Sequence, residues 1–143
     1  MVGENETFLH RWFEEVWNKR SEEAIDQMLA EDVVGHGLID AEGNTVRGKD
    51  SFKNLHRAFL AAYSDFNITV EDVVTEGDKM AARCRVSATH TGDGLGVAPT
   101  NQPIEFTGMI IVRVKDNQIV EAWNEFNFME MYSQLGALTL NLQ

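Results

Sequence analysis

The sequence has little of what marks secreted or membrane-spanning proteins. Its 143 residues contain one cysteine, Cys84, so no disulfide can form within the chain, and a lone thiol is typical of a reducing compartment. The longest strongly apolar runs, such as Met109 to Val112, fall far short of the roughly 18 residues that a membrane span needs. Residues 1–8 have neither a basic start nor an apolar stretch. We therefore predict a soluble, cytoplasmic protein without a secretory leader.

Basic residues are also scarce. Twelve Lys and Arg stand against 23 Asp and Glu, which gives a net charge of −11. Such a field repels phosphate backbones and anionic lipid headgroups, so we expect neither nucleic acid nor a membrane surface as a partner. The apolar share of 43% and the charged share of 24% are ordinary globular values, and the length predicts a single domain over residues 1–143.

Familiar catalytic motifs are missing. No CxxC, HxH or HExxH spacing occurs, so no metal is expected. Gly92, Gly94 and Gly96 are not followed by Lys-Ser or Lys-Thr, which favours a hairpin connection over a phosphate-binding loop. There is no Gly-x-Ser-x-Gly elbow, and Cys84 lies in the middle of a predicted strand, where a thiol behaves as a small hydrophobe.

The first half of the chain has helical periodicity. Apolar residues recur at helical spacing from Phe8 to Trp17 and predict a first helix. Ser21, followed by two glutamates, is a predicted N-cap of a second helix. A third helix should follow Gly48, and His56 falls one position off its apolar stripe, so we expect His56 at the boundary or on the surface.

The second half alternates like strands. Strands are predicted over about 66–75, 79–90, 103–115 and 118–128, before a short helix near 129–135, and residues 32–46 read as extended with a turn at 42–44. Helices followed by an antiparallel meander predict an α+β fold with helices on one face of the sheet. Because long strands curl, helices on the concave side can enclose a pocket.

The candidate site residues are polar groups on elements that otherwise look buried. They are His36, His56, Arg83, His90, Trp123, Asn124, Glu125 and Asn127. His36 fits either a turn or a pocket, and Arg83 fits either an ion pair or a ligand contact. On the last strand, alternation puts Trp123, Glu125 and Asn127 on one face and Asn124 on the other, unless a bulge reverses one end.

In order and spacing, these segments resemble SnoaL-like polyketide cyclases and predicted ester cyclases of the nuclear transport factor 2-like superfamily. The resemblance runs through the aromatic first helix and six further segments: Asp32 to His36, Glu71 to Lys79, Thr89 to Gly92, Gly96 to Thr100, Ile119 to Trp123 and Gln134 to Gly136. It implies a cone-like α+β fold, in which a curved antiparallel sheet wraps around helices and a central cavity. It also implies a reaction without a cofactor, an apolar or aromatic small-molecule ligand, and homodimers paired through the outer face of the sheet.

The resemblance further implies a reaction. In the family, an acid on the last strand removes a proton from an activated carbon, and the enolate closes a ring on a carbonyl of the same molecule. The family pattern Glu-x-Trp-x-x-x-Asp matches Glu121 and Trp123, but Asn127 stands where the acid is expected. An amide does not exchange protons near neutral pH, so Asn127 cannot be the general base.

Three hypotheses follow for function. In the first, the chain is a cyclase whose base has moved to His36, His90 or Glu125, while Asn127 helps to hold the oxyanion. In the second, it binds a small molecule without turnover, in a pocket formed by Trp12, Phe13, Phe59 and Trp123 with Arg83 for orientation. In the third, it is an interaction domain that docks through its sheet.

Overall fold

The computed structural model describes residues 7–40 and 42–137 and packs one six-stranded sheet against helices. In chain order the elements are α1 (Phe8–Trp12), a π-helix (Phe13–Asn18), α2 (Glu22–Met28), β1 (Leu29–Ile39), β2 (Thr45–Arg47), α3 (Lys49–Ala62), β3 (Asn67–Glu76), β4 (Lys79–Thr89), β5 (Pro103–Lys115), β6 (Gln118–Phe126) and α4 (Phe128–Gln134). The predicted α+β class is confirmed. None of the helices within the described ranges is long and apolar enough to span a membrane.

The helix starts follow local capping chemistry. Ser21 Oγ accepts a hydrogen bond from the backbone N–H of Ala24 at 3.1 Å, which confirms the predicted cap of α2. The predicted first helix is present but changes its winding after Trp12, where the π-helix begins. In the wider π turn the backbone N–H of Lys19 donates to the carbonyl of Glu14 at 2.8 Å.

His56 is more deeply buried than its helical phase predicts. Only 1% of it is exposed, and its Nε2 donates to the Val16 carbonyl of the π-helix at 2.7 Å. Its ring also packs against Trp17, with centroids 4.8 Å apart. The expectation of a boundary or surface position was therefore wrong, because the π-helix supplies a polar partner that lets the imidazole enter the core.

The sheet order is β2-β1-β6-β5-β4-β3. From β3 to β6 neighbouring strands are antiparallel, as predicted. β1, in the segment predicted only as extended, runs parallel to β6, with His36 opposite Trp123. Parallel neighbours need a long crossover, and here α3 and the whole β3–β5 meander lie between the two strands along the chain.

The strand alternation separates an apolar inner face from a charged outer face. On β4, Cys84 and Val86 are buried while Arg83 and Arg85 are exposed. This placement agrees with the ion-pair alternative for Arg83. Burial raises the pKa of the Cys84 thiol to about 12, with a smaller contribution from Glu71. Cys84 therefore stays protonated near neutral pH and serves as packing.

The connection between β4 and β5 folds back onto α3. The backbone N–H groups of Thr91 and Gly92 both donate to the carbonyl of Ala62, at 3.0 and 3.1 Å. A Cβ atom on Gly92 would lie 1.9 Å from the carbonyl oxygen of Ala61, and one on Gly94 would lie 2.2 Å from that of Ala58. The glycines thus allow backbone-to-backbone packing, which places this loop beside the open end of the helix layer.

Candidate functional site

A cavity of about 70 Å³ lies between the concave face of the sheet and the helices. Its wall is built from apolar side chains of both layers, including Trp12, Phe13, Phe52, Phe66, Phe106 and Ile110. Among the described residues that line it, Asn124 has the only polar side chain. Because no titratable side chain lines it, the inner cavity offers binding surface rather than acid–base chemistry.

Asn124 is held in place by the neighbouring strand. It is 7% exposed, and its Nδ2 donates to the backbone carbonyl of His36 at 2.9 Å. β1 approaches closely because Gly37 adopts a φ of +81°, and a Cβ there would lie 1.9 Å from the Asn124 carbonyl oxygen. No hydrogen bond joins Asn124 Oδ1 to another described residue, so this oxygen is available to a ligand.

A second, wider space of about 630 Å³, here called the mouth, lies next to the cavity and shares four of its lining residues. Leu38, Leu55, Phe59 and Phe128 line both spaces and form the constriction between them. The rings of Phe59 and Phe128 lie 5.9 Å apart across it. A drug-sized ligand needs a site of roughly 300 to 1,000 Å³, so the mouth must supply most of the volume.

The polar groups at the mouth are Asp40, Asn54 and Tyr132. Asp40 Oδ1 accepts hydrogen bonds from the backbone N–H groups of Glu42 and Asn44, both at 2.9 Å. That carboxylate therefore closes the turn between β1 and β2. Sequence reasoning did not single out Asp40, although a carboxylate just before Glu42-Gly43-Asn44 is a recognisable turn signal.

The predicted pocket residues divide between the two faces of the sheet. Trp12, Phe13 and Phe59 line the cavity. Arg83 lies on the outer face, where its Nε donates to Asp72 at 2.8 Å. Trp123 is also on the outer face and stacks on His36, with ring centroids 5.5 Å apart. The strand period explains the outer position of Arg83 and Trp123, because neighbouring residues of a strand point to opposite faces.

The catalytic candidates His36 and Glu125 lie on the outer face with Trp123. His36 Nε2 is 2.7 Å from Glu121 Oε2, and Arg113 Nη1 donates to the other oxygen of Glu121 at 3.2 Å. Glu125 is exposed and shares a shallow outer groove with Arg83 and Asn127. His36 and Glu125 therefore contact charged side chains or solvent and do not face the cavity.

Asn127 begins the last helix. Its Oδ1 accepts a hydrogen bond from the backbone N–H of Glu130 at 3.0 Å, which makes it the N-cap of α4. The side chain is exposed and does not line the cavity. The cavity-facing amide of this strand is Asn124, one of the sequence candidates, which strand alternation puts on the face opposite Trp123 and Glu125.

His90 is fully buried at the end of β4, away from the other candidates. Its Nδ1 accepts a hydrogen bond from the backbone N–H of Thr100 at 3.2 Å. It therefore ties down the far end of the β4–β5 loop. The structure thus does not gather His36, His90, Glu125 and Asn127 into one site, and among the described residues no cluster of three metal-ligating side chains occurs.

Comparison with known proteins agrees with this architecture. The SnoaL-like polyketide cyclase model matches residues 7–135. IdmH from Streptomyces antibioticus, a candidate polyketide cyclase, is 32% identical over 90% of this chain and 96% of its own, with a TM-score of 0.77. AclR from Streptomyces galilaeus, a candidate hydroxylase, is 29% identical over 90% of this chain and 79% of its own, with a TM-score of 0.74.

A candidate polyketide cyclase from Bacillus cereus is 25% identical over 92% of this chain and 80% of its own, with a TM-score of 0.77. No curated protein matches the chain. The matched range runs from the start of α1 to the end of α4 and so includes every element that lines the cavity and its mouth. The chain therefore belongs to the SnoaL-like polyketide cyclase family.

Proposed function

We propose that this protein binds an apolar, polyketide-like small molecule and closes a ring in it without a cofactor. It does so by holding a flexible substrate folded across the cavity and its mouth rather than by side-chain proton transfer. The observation that carries the proposal is the cavity wall, which is apolar except for the single amide of Asn124. Confinement of two reacting groups alone lowers a barrier by up to about 7–11 kcal/mol.

An aldol closure would need a base at the substrate. His36 and Glu125 lie on the outer face, and the Oδ1 atom of Asp40 is engaged in the β1–β2 turn. A general base has to reach the proton that it removes, directly or through one water. The arrangement of the described residues therefore favours a ring closure in which no side chain of the inner cavity takes a proton.

Asn124 orients the bound substrate. Its Nδ2 is fixed by the His36 carbonyl, while Oδ1 accepts a hydrogen bond from a hydroxyl or N–H group of the ligand. One well-placed polar group in an apolar wall is the usual source of orientation in small-molecule sites. The ligand then places its apolar part in the cavity and its remaining length in the mouth.

Binding without turnover is the second candidate. The same lack of titratable side chains in the cavity supports it, since a carrier needs only shape, apolar surface and one orienting group. The similarity to AclR, which is described as a candidate hydroxylase, supports a second reading, because one fold can serve different functions. Retention of a bound ligand with no product formed would favour this candidate.

We further propose that protomers pair through the outer face of the sheet. Exposed apolar side chains are concentrated there, with Val74 at 69%, Met109 at 53% and Ile111 at 43% exposure. Trp123 lies opposite Ile111 in the strand register and extends this surface. A homodimer would cover these groups, and sedimentation equilibrium of the purified protein measures it directly.

We also propose a cytoplasmic location. Cys84 is free and fully buried, which suits a compartment that keeps thiols reduced. Fractionation of cells that express the full-length protein tests this.

The binding part of the proposal is tested with 1-aminoanthracene, an uncharged fluorescent aromatic probe. Ala122→Phe fills the cavity from β6 and should abolish the fluorescence gain. Ala98→Phe adds the same side chain at an exposed loop position and should leave probe binding unchanged. Equal binding by both variants would show that the probe does not use the cavity.

The reaction is tested with two linear probes. The triene 1,7,9-decatrien-3-one closes a ring without proton transfer, whereas 2,6-heptanedione closes by an aldol step. We expect acceleration of the triene only, at a rate that is flat from pH 6 to pH 9 because its ring closure transfers no proton. Acceleration of the diketone with a bell-shaped pH profile would contradict confinement and restore the aldol mechanism. If neither probe reacts and native mass spectrometry detects a retained ligand, binding without turnover is the better candidate.

A further inference from the structure

Two buried polar atoms next to the cavity have no hydrogen-bond partner among residues 7–40 and 42–137. They are Tyr63 Oη and His90 Nε2, and both side chains are 0% exposed. The two residues face each other across an isolated antiparallel bridge, with ring centroids 5.7 Å apart. Buried polar groups almost always find a partner, so two unpaired ones in contact require an explanation.

Both atoms are hydrogen-bond donors. The backbone N–H of Thr100 donates to His90 Nδ1, so Nδ1 is unprotonated and the ring proton of the neutral imidazole is on Nε2. Burial, with a smaller effect from Tyr132, raises the pKa of Tyr63, so the phenol keeps its proton at any ordinary pH. The pair therefore presents an N–H and an O–H with no acceptor.

The pair lies directly behind the cavity wall. The Tyr63 ring is 6.4 Å from that of Phe59 and 5.9 Å from that of Phe66, centroid to centroid, and both phenylalanines line the cavity. Tyr132, which influences Tyr63, lines the mouth. One layer of aromatic rings thus separates the two donors from the space that a ligand enters.

The third unpaired atom, His56 Nδ1, differs from these two. The other nitrogen of His56 has a structural partner, the Val16 carbonyl, and this hydrogen bond accounts for the burial of the ring. Tyr63 Oη has no such partner and contributes no hydrogen bond to the described fold. A hydroxyl in that state lowers stability, which is typical of a group kept for binding.

We propose that Tyr63 Oη–H and His90 Nε2–H form a carbonyl subsite behind the Phe59 and Phe66 wall of the cavity, where together they bind one carbonyl oxygen of the ligand. The inference rests on the proposed function in one respect, because the ligand reaches the subsite through the same cavity. Movement of the Phe59 ring, which already forms part of the constriction, opens the way. The subsite assigns the ligand class: an apolar molecule with a ketone or ester group at its leading end.

The test compares two probes that differ by one carbonyl group, 1-tetralone and tetralin. Dissociation constants are measured by NMR titration for the wild type, Tyr63→Phe and His90→Asn. Asn retains a side-chain oxygen that can accept from Thr100 while it removes the Nε2 donor. We expect the affinity ratio of 1-tetralone to tetralin to fall roughly tenfold in each variant, with tetralin binding unchanged.

His10→Asn is the matched control, because His10 lies at the start of α1 and does not line the cavity, and it should leave the ratio unchanged. Without ligand, Tyr63→Phe should not lower the melting temperature, since the hydroxyl has no partner to lose. An unchanged affinity ratio in both variants would overturn the subsite. If the melting temperature of Tyr63→Phe is also lower, the hydroxyl binds only a buried water. If neither probe binds the wild type, the proposed function fails together with the subsite.

Discussion

The two faces of the sheet differ although each strand contributes to both. The inner face packs apolar side chains around the cavity, with Asn124 as its polar exception. The outer face carries chains of ion pairs, such as Arg83 with Glu71 and Asp72, and Arg85 with Glu105. On β6, the neighbours Trp123 and Asn124 belong to different faces.

This difference shows where chemistry can occur. Charged and aromatic residues drew attention in the sequence, and His36, Glu121, Trp123 and Glu125 are all on the outer face. There the charge of Glu121 is paired with His36 and Arg113, and Glu125 is exposed to solvent, which leaves little driving force for catalysis. The inner face has few polar groups, but each one acts in a dry environment, where a single hydrogen bond has a larger effect.

The largest contrast is expected between two residues of β5. Phe106→Ala removes a ring that is 3% exposed and should lower the free energy of unfolding by about 3–5 kcal/mol. In the dissociated protomer, Ile111→Ala on the outer face should cost less than about 1 kcal/mol. Urea denaturation of both variants, at protein concentrations below the dissociation constant of the proposed dimer, measures the difference. Equal losses under these conditions would show that Ile111 is buried within the protomer and would remove the contrast between the faces.

The next contrast is between two glycines with positive φ. Gly37→Ala brings a Cβ to 1.9 Å from the Asn124 carbonyl oxygen, whereas Gly43→Ala meets nothing within 4 Å. Gly43→Ala should therefore cost only the left-handed backbone penalty of about 1–2 kcal/mol. Gly37→Ala should cost roughly 3 kcal/mol or more, because β1 must also move away from β6.

A cost for Gly37→Ala no greater than that of Gly43→Ala would contradict the close approach of β1 to Asn124. Thermal unfolding followed by circular dichroism is sufficient to compare them. Probe binding by Gly37→Ala should weaken as well, because the same strand contact fixes the amide in the cavity wall.

A smaller effect is expected from pH. Burial lowers the pKa of His56, so the unfolded chain binds a proton more readily than the folded chain. The neutral ring therefore stabilises the fold above the ordinary histidine pKa of about 6.5, and this stability is lost as pH falls through the folded-state pKa. Between pH 7 and pH 5, the unfolding free energy of the wild type should decline more steeply than that of His56→Gln.

The glutamine variant can still donate to Val16 but does not titrate, which makes it the matched comparison. The excess slope should not exceed about 1.4 kcal/mol per pH unit, the limit for one proton. Parallel pH profiles would mean that His56 is protonated equally in the folded and unfolded chains.

The smallest effect belongs to the outer ion pairs. Arg113 and Glu121 are 3.2 Å apart, and their side chains are 37% and 30% exposed. A double-mutant cycle with Arg113→Ala and Glu121→Gln should give a coupling of about 0.5 kcal/mol that largely disappears in 1 M salt. Coupling above about 2 kcal/mol, insensitive to salt, would place this pair in a desolvated environment and weaken the contrast between the faces.

Much of the fold could be predicted from local patterns. Ser21 followed by two acids indicated the start of α2, and the period-two pattern of β4 put Cys84 and Arg83 on opposite faces of the sheet. The site was harder to predict. The sequence pattern drew attention to Asn127, which caps α4, whereas the amide in the cavity wall is Asn124, three residues earlier.

The misses have a common cause, which is contact between distant segments. His56 was misplaced because its partner, the Val16 carbonyl, lies 40 residues away in a π-helix that helical periodicity does not reveal. The parallel pairing of β1 with β6 was missed because strand alternation is the same in either direction. The Tyr63–His90 pair lies across an isolated bridge between residues 27 positions apart in sequence.

The sequence by itself determined the class of fold, the faces of the strands and the acidic surface, because capping, periodicity and net charge are local or additive properties. Only the tertiary structure decided which polar groups meet the cavity. That outcome depends on the register of β6 against β1, on the close approach allowed by Gly37, and on the return of the β4–β5 loop to α3. Each is a packing event between distant segments, and its energy depends on both partners together rather than on either segment alone.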